Sequence, residues 1–332
     1  MHNAQYRLAS RPEGAVRHSN WLYTEEPVGR PAEGEFLVKV EYLSLDPAMR
    51  SWMNAGRSYV PPVEIGEVMR AAGIGTVIES RHPDYCVGDT LYGVWGVQNF
   101  AISDGTGVSK VDTSLAPAPV HLGVLGVSGF TAYFGLIDVG KIKEGDTVVV
   151  SAAAGSVGSV AGQIAKILGC HVIGIAGGAA KSAVLLDELG FDAAIDYKSE
   201  NVRARLKELA PKGVDVFFDN VGGTILEDVL ARLARGARIV LCGAVSQYNA
   251  ESRPKGPSNY MQLLVSRASM TGFVFSDYAE RFGEAAVQLA AWLTDGRLKS
   301  LEHTVSGGIE RFPDALLDMF AGGNTGKLVL AL

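Results

Sequence analysis

The fold is decided by Thr147-Val148-Val149-Val150-Ser151-Ala152-Ala153-Ala154-Gly155-Ser156-Val157-Gly158. The first five residues are a continuous apolar run, which is typical of a strand buried on both faces of a parallel sheet. A turn of alanine and glycine follows, and apolar residues at helical spacing then continue to Leu168, where Gly169 ends the predicted helix. The stretch therefore predicts a strand, a glycine turn and a helix.

This arrangement matches the dinucleotide-binding fingerprint. In that motif, glycines allow the backbone to approach a pyrophosphate at the N-terminus of a helix. Gly155 and Gly158 hold the second and third glycine positions, and Ala153 replaces the first. The alternative is a turn of small residues that binds nothing. The strand before the turn and the helix after it favour dinucleotide binding.

Strand and helix signals alternate on the carboxyl side of this motif, which predicts an α/β fold with a doubly wound parallel sheet. The predicted strands cover residues 171–175, 193–195, 214–218 and 238–242, and predicted helices cover 127–139 and 180–189. Residues 1 to about 120 are instead rich in Pro, Gly and short β-type runs, which predicts an irregular antiparallel β domain. The β-type run 325–330 is placed with that domain and makes it discontinuous. The predicted domains are 1–125 with 300–332, and 126–299.

The composition excludes several classes of protein. The chain has 332 residues, with 30 Lys and Arg against 36 Asp and Glu, so the formal net charge is −6. This balance argues against nucleic acid and against an anionic membrane surface as partners. Three scattered cysteines fit a reducing compartment, and no secretory signal is visible at the N-terminus. We expect a cytoplasmic protein.

Charge near the motif favours NADPH over NADH. NAD-binding folds place an Asp or Glu about 20 residues beyond the glycines to bind the ribose hydroxyls. No acidic residue occurs between Asp146 and Asp187, whereas Lys181 follows the second predicted strand and Tyr197 follows the third. A lysine there can pair with a 2′-phosphate. The alternative is that Lys181 is an exposed cation at the start of a helix.

No set of residues at metal-ligand spacing is visible in the sequence. Cys86 stands alone, no CxxC pair occurs, and the histidines are scattered. We therefore expect no metal in the site.

The chain resembles a known family in five further segments. They are Tyr42-Leu43-Ser44-Leu45-Asp46-Pro47-Ala48-Met49-Arg50, Phe130-Thr131-Ala132-Tyr133, Phe218-Asp219-Asn220-Val221-Gly222-Gly223, Cys242-Gly243-Ala244-Val245-Ser246-Gln247-Tyr248-Asn249 and Gly322-Gly323-Asn324-Thr325-Gly326-Lys327. Together with the glycine turn, they are similar to the zinc-independent medium-chain dehydrogenase/reductases. The branch that they resemble is the NADPH-dependent alkenal/one reductases, which includes prostaglandin reductases, plant double-bond reductases and bacterial curcumin reductases.

The resemblance implies a GroES-like catalytic domain, a Rossmann domain that binds NADPH, and a homodimer. It also implies a set of cofactor contacts. Gly155, Ser156, Val157 and Gly158 would hold the pyrophosphate, and Lys181 and Tyr197 would hold the 2′-phosphate. The other residues implied to contact the cofactor are Asn220, Cys242, Tyr248, Phe273, Val274, Phe275 and Asn324.

The chain departs from the family at one position. Several members carry a tyrosine that bonds the substrate carbonyl eight residues before the Phe of a Gly-Phe-Val segment, and here that position is Val265. Tyr59 is the first candidate to take this role, and Tyr260 is a weaker one. For either residue, the alternative is a packed aromatic ring with its hydroxyl at the surface.

The implied reaction is reduction of the carbon–carbon double bond of an α,β-unsaturated ketone or aldehyde. Hydride would reach the β-carbon and a proton the α-carbon, and a hydrogen-bond donor would stabilise the intermediate oxyanion. Two alternatives remain open. One is an NADPH quinone oxidoreductase with the same fold, and the other is a non-catalytic NADPH-binding sensor or structural protein.

Overall fold

The computed structural model describes residues 1–56, 58–250 and 255–332. The chain divides into two compact units, Met1–Leu122 with Glu302–Leu332, and Gly123–Leu301. Among the described residues, no helix has both the length and the apolar character needed to cross a membrane.

The first unit is built on β strands. Its strands are β1 (His2–Leu8), β2 (Trp21–Pro27), β3 (Phe36–Ser44), β4 (Ala72–Ser80), β5 (Thr90–Val94), β6 (Phe100–Ser103), β7 (Ser109–Lys110), β14 (Glu302–Val305) and β15 (Lys327–Ala331). Its helices are α1 (Ala48–Trp52) and α9 (Phe312–Phe320). The main sheet has the order β14-β15-β3-β4-β5-β7, and β6 also pairs with β3.

The chain's last strand is part of this sheet, because β15 pairs antiparallel with β3. Its first residue, Lys327, is only 2% exposed, and its ammonium group lies 2.6 Å from a carboxylate oxygen of Asp46. The ammonium also donates to the carbonyl of Leu45 at 3.2 Å. The strand pairs within residues 1–122 are antiparallel, as predicted, whereas β14 and β15, at the carboxyl end of the chain, run parallel to each other. The connection between these two strands includes α9, and it is long enough for β15 to run in the same direction as β14.

The second unit is an α/β unit. Its strands are β8 (Thr147–Ser151), β9 (His171–Ala176), β10 (Ala193–Asp196), β11 (Val214–Asp219), β12 (Leu233–Leu241) and β13 (Ser269–Gly272). Its helices are α2 (Val127–Phe134), α3 (Ser156–Ile167), α4 (Ala179–Ala183), α5 (Val202–Leu209), α6 (Gly223–Leu230), α7 (Met261–Ser266) and α8 (Phe282–Thr294). Short turns of π-helix extend α2 to Val139 and α4 to Glu188.

The sheet of this unit is parallel throughout, with the order β10-β9-β8-β11-β12-β13. Numbered from its own first strand, this is the order 3-2-1-4-5-6 of the doubly wound dinucleotide-binding fold. The predicted parallel sheet is confirmed. Val148, Val149 and Val150 of β8 are fully buried, as the apolar run predicts.

Candidate functional site

The strand order reverses between β8 and β11. In open α/β sheets, ligands bind outside the carboxyl ends of the strands at such a switch point. All the predicted cofactor residues of the second unit follow the carboxyl end of one of its strands. Gly155–Gly158 follow β8, Lys181 follows β9, Tyr197 follows β10, Asn220 follows β11, Cys242 and Tyr248 follow β12, and Phe273–Phe275 follow β13. Because the strands are parallel, the sheet brings these residues to the side where the carboxyl ends of all its strands lie, which we call the carboxyl edge.

The glycine turn connects the carboxyl end of β8 to the N-terminus of α3, so this helix N-terminus lies at the carboxyl edge of the sheet. The Ala153 N–H donates to the carbonyl of Ile175 at 3.0 Å, and the Gly155 N–H donates to the carbonyl of Ala152 at 2.9 Å. Helix α3 begins at Ser156, and no side chain caps it at Gly155. The first N–H groups of a helix have no acceptor within the helix and lie at the positive end of its dipole. They are suited to an anionic ligand.

The two glycines of the turn have different geometric requirements. A Cβ on Gly158 would lie 2.3 Å from the carbonyl oxygen of Ala152, so only glycine permits this close packing of helix on turn. A Cβ on Gly155 would meet only that same oxygen, at 3.1 Å, and would otherwise point into open space. These are the properties expected of the packing glycine and the ligand-approach glycine of the fingerprint. The turn therefore fits a pyrophosphate.

The ends of β9 and β10 bring a tyrosine and a lysine over Gly177. A Cβ on Gly177 would lie 2.9 Å from the Tyr197 hydroxyl oxygen and 3.0 Å from the Lys198 Cε. Tyr197 is 48% exposed, and Lys181 is half-buried in α4. Lys198 could not be predicted from the sequence, because its closeness to Gly177 depends on the pairing of β10 with β9.

Asp196, the last residue of β10, is an acidic residue at this end of the sheet. Its carboxylate accepts hydrogen bonds from the N–H groups of Gly178 at 2.7 Å and Lys198 at 3.0 Å. It also accepts from the Ser199 hydroxyl at 2.8 Å. These bonds, led by the one from Gly178, lower the pKa of Asp196. Asp196 therefore organises the two loops around Gly177.

A second overlooked carboxylate orders the switch point itself. Asp219 is fully buried at the end of β11 and accepts the Ser151 hydroxyl at 2.8 Å and the Val221 N–H at 2.9 Å. Burial raises its pKa, and its hydrogen bonds oppose that rise. The Asn220 amide donates to the carbonyl of Ser151 at 2.7 Å. Asp219 and Ser151 together fix Asn220 beside the glycine turn.

The remaining predicted contacts of this unit lie after β12 and β13. Burial, with a contribution from Asp219, raises the pKa of the Cys242 thiol to about 12, so this thiol is protonated at neutral pH. The Tyr248 hydroxyl lies 3.5 Å from the N–H of Ala244. Phe273 lies against α2's end, since a Cβ on Gly135 would be 2.7 Å from its ring.

A cavity of about 720 Å³ opens on the α6 side of the same edge. Its walls include Asp219, Gly223, Cys242 and Ala244, but none of the residues of the glycine turn.

Tyr59, Asn324 and Tyr260 complete the list of predicted site residues. Tyr59 belongs to the first unit and is 54% exposed, with its hydroxyl 3.2 Å from the Trp52 indole nitrogen. Asn324 lies between α9 and β15, where its amide donates to the carbonyl of Gly326 at 2.9 Å. Tyr260, 60% exposed, precedes α7, and Val265 lies within that helix. The roles of Tyr59, Asn324 and Tyr260 stay predictions.

Metal ligands do not cluster in the part of the chain that the structure describes. Over residues 1–56, 58–250 and 255–332, no group of three or more His, Cys, Asp or Glu side chains is arranged to hold a metal ion.

A doubly wound parallel sheet with a glycine turn and a helix N-terminus at its switch point defines a dinucleotide-binding protein of the Rossmann type. Two family models match the chain. Residues 4–111 match the N-terminal domain of oxidoreductase, and residues 156–292 match zinc-binding dehydrogenase. The chain belongs to the medium-chain dehydrogenase/reductase family.

Named relatives resemble the chain over most of its length. The NADPH-dependent curcumin reductase of Escherichia coli is 40% identical, over 99% of this chain and 96% of that protein. The NADP⁺-dependent 2-alkenal reductase of Nicotiana tabacum is 38% identical, over 89% of this chain and 87% of that protein. Among solved structures, that of CurA from Vibrio vulnificus in complex with NADPH superposes on this chain with a TM-score of 0.94, over 99% of this chain and 98% of that one. The two sequences are 44% identical.

Proposed function

We propose that this protein uses NADPH to reduce the carbon–carbon double bond of α,β-unsaturated ketones and aldehydes. The observation that carries the proposal is the set of groups at the carboxyl edge of the parallel sheet, which includes the N-terminus of α3 and the side chains of Tyr197 and Lys198 close to Gly177. The curcumin reductase and the 2-alkenal reductase among the relatives support the reaction class. When bound, NADPH supplies the hydride that adds to the β-carbon.

In this proposal, the chain's own residues bind and orient. Gly155, Ser156, Val157 and Gly158 present the free N–H groups of α3 to the pyrophosphate. Lys181 and Tyr197 bind the 2′-phosphate, as the positions after β9 and β10 suggest. Asn220, Cys242, Tyr248, Asn324 and the segment Phe273–Phe275 contact the rest of the cofactor.

Tyr59 has a different role in the proposal. Addition of hydride to the β-carbon moves negative charge onto the carbonyl oxygen, and a hydrogen-bond donor at that oxygen lowers the barrier. A tyrosine hydroxyl can donate such a hydrogen bond. Tyr59 is 54% exposed. Protonation of the α-carbon by water then completes the saturated ketone.

The test is NADPH consumption with 4-phenyl-3-buten-2-one, followed by identification of the product by mass spectrometry and NMR. We expect the saturated ketone. An allylic alcohol would show attack at the carbonyl carbon and contradict the proposal. Turnover of a quinone without turnover of the enone would favour the quinone oxidoreductase, and NADPH binding without any turnover would favour the sensor.

Tyr59→Phe tests the proposed donor. Loss of one hydrogen bond to a developing oxyanion lowers kcat by about 100- to 1,000-fold. The Kd for NADPH should stay within about twofold. Tyr260→Phe is the matched control, and we expect it to retain kcat. The reverse result would transfer the donor role to Tyr260, and unchanged kinetics in both variants would remove tyrosine from this step.

The proposal includes a homodimer in the cytoplasm. Strand β13 lies at the edge of the parallel sheet, and α7, which precedes it in the chain and contacts β12, has three apolar side chains that are at least half exposed. They are Met261, Leu264 and Val265. Paired edges would bury this surface. Light scattering should give twice the chain mass of 35.1 kDa, and Leu264→Glu should shift it toward one chain mass. A monomeric wild type would contradict this part of the proposal.

A further inference from the structure

Arg11 joins Met53 to Val63, and these two residues stand on either side of Tyr59 in the sequence. One guanidinium nitrogen of Arg11 donates to the carbonyls of both Met53, at 2.8 Å, and Val63, at 3.0 Å. The Val63 N–H donates to the carbonyl of Trp52 at 2.8 Å. Met53 and Val63 are therefore held together, and Trp52 lies beside them.

The Trp52 indole contacts the tyrosine hydroxyl directly. Its Nε1 lies 3.2 Å from the Tyr59 Oη. An indole N–H can only donate, so the phenol oxygen is the acceptor in this bond. The phenol can therefore accept from Trp52 while it donates its own proton to another group.

Arg70 contacts both the Trp52 indole and the backbone of Pro61. Its guanidinium carbon lies 5.6 Å from the centroid of the Trp52 ring, which is a cation–π distance. One of its nitrogens donates to the carbonyl of Pro61 at 2.9 Å. Trp52 is therefore fixed on its face by Arg70, while its edge contacts Tyr59.

From this geometry we propose that Trp52 is a positioning residue, which fixes the Tyr59 hydroxyl for donation to the substrate carbonyl and is itself held by Arg70. The inference rests on the proposed function, in which Tyr59 is the donor. A phenol that accepts a hydrogen bond becomes a better donor, because successive hydrogen bonds polarise one another. Trp52 thereby limits the rotation of the phenol and strengthens the bond that it makes.

A double-mutant cycle of Trp52→Phe and Tyr59→Phe tests the proposal. Phenylalanine keeps an aromatic face for Arg70, and it removes the N–H together with part of the indole ring. We expect W52F to lower kcat for the enone about fivefold, the effect of one hydrogen bond, with the Kd for NADPH unchanged. In the Y59F background, the same substitution should have no further effect. An equal loss in both backgrounds, or no loss in either, would overturn the proposal.

Trp21→Phe is the matched control. The Trp21 Nε1 is buried in the same unit without a hydrogen-bond partner among the described residues. W21F therefore removes an indole N–H without removing a bond to Tyr59. We expect kcat to stay at the wild-type value. A fivefold loss in W21F as well would mean that kcat follows general packing of the unit, and would overturn the assignment.

A readout without turnover separates this inference from the proposed function. In protein labelled with ¹³C at tyrosine Cζ, the Tyr59 signal is assigned by its absence in Y59F. We expect this signal to move in W52F and to stay in place in W21F. If the wild type reduces no enone, the proposed function fails while the signal still tests the Trp52–Tyr59 bond. A signal that does not move in W52F overturns the positioning role whatever the activity.

Discussion

Gly158→Ala is expected to lower the stability of the protein, and Gly155→Ala is expected to weaken NADPH binding, although the two glycines are three residues apart in one turn. At Gly158 the added methyl carbon would lie 2.3 Å from the Ala152 carbonyl oxygen and 2.9 Å from the Cα of Ala153. Both neighbours are backbone atoms, so no side chain can rotate away. Helix α3 would have to move relative to the turn by several tenths of an ångström.

The size of each effect follows from these contacts. Overpacking against immobile atoms costs about 3 kcal/mol, and the better helix propensity of alanine returns at most about 1 kcal/mol. A net loss of about 2 kcal/mol lowers Tm by roughly 4–8 °C in a unit of this size. At Gly155 the nearest atom is 3.1 Å away and φ is −84°, which alanine adopts readily. We expect G155A to keep its Tm within about 2 °C.

The G155A methyl would instead project into the space that the pyrophosphate needs. We expect its Kd for NADPH, measured by quenching of protein fluorescence, to rise at least about tenfold. Tm is measured for both variants without cofactor, by circular dichroism. G158A with a wild-type Tm would refute the packing argument, and G155A with wild-type NADPH affinity would refute the assignment of the turn to the pyrophosphate.

Three further predictions concern charge. Lys181→Ala should raise the Kd for NADPH by about 10- to 100-fold and leave that for NADH within twofold, measured by fluorescence titration; equal losses for the two cofactors would exclude a 2′-phosphate contact. Burial raises the thiol pKa from 9.0 to about 11 at Cys170 and about 12 at Cys242, so the folded protein holds these protons more tightly than the unfolded chain. The free energy of unfolding should therefore fall as the pH rises above 9, and less so in Cys170→Ala, as urea titrations at pH 8 and 10 would show; the same fall in both proteins would contradict this cause. Lys327→Met leaves the 33%-exposed Asp46 unpaired and should lower the unfolding free energy by about 1–2 kcal/mol, below the 3–5 of a fully buried pair; an unchanged urea midpoint would show that the ion pair does not stabilise the sheet.

The parallel sheet could be predicted because its signals are local. The apolar run of β8 has the same bounds in the sequence prediction and in the structure, Thr147–Ser151. A strand buried on both faces is typically a near-continuous apolar run, here Val148–Val150, and this pattern is visible without any neighbour. By contrast, β13 (Ser269–Gly272) is mostly exposed and lies at the sheet edge, so its sequence carries no such pattern.

The overlooked site residues share one physical reason. Asp196, Lys198 and Asp219 act through partners that only strand pairing brings near them. Asp219, for example, bonds Ser151, which is 68 residues away in the chain but belongs to the adjacent strand β8. A sequence pattern that reports local periodicity contains no information on such pairs. The signal that existed was position, since each of these residues ends or follows a predicted strand.

The most direct test of the central claim follows a deuterium label from NADPH into the product. The protein is supplied with 4-phenyl-3-buten-2-one and, in separate reactions, NADPH deuterated at each of the two positions of nicotinamide C4. The account predicts a saturated ketone that carries deuterium at its β-carbon from one of the two labelled cofactors. Deuterium on a carbinol carbon, or a β-carbon without label from either cofactor, would contradict it.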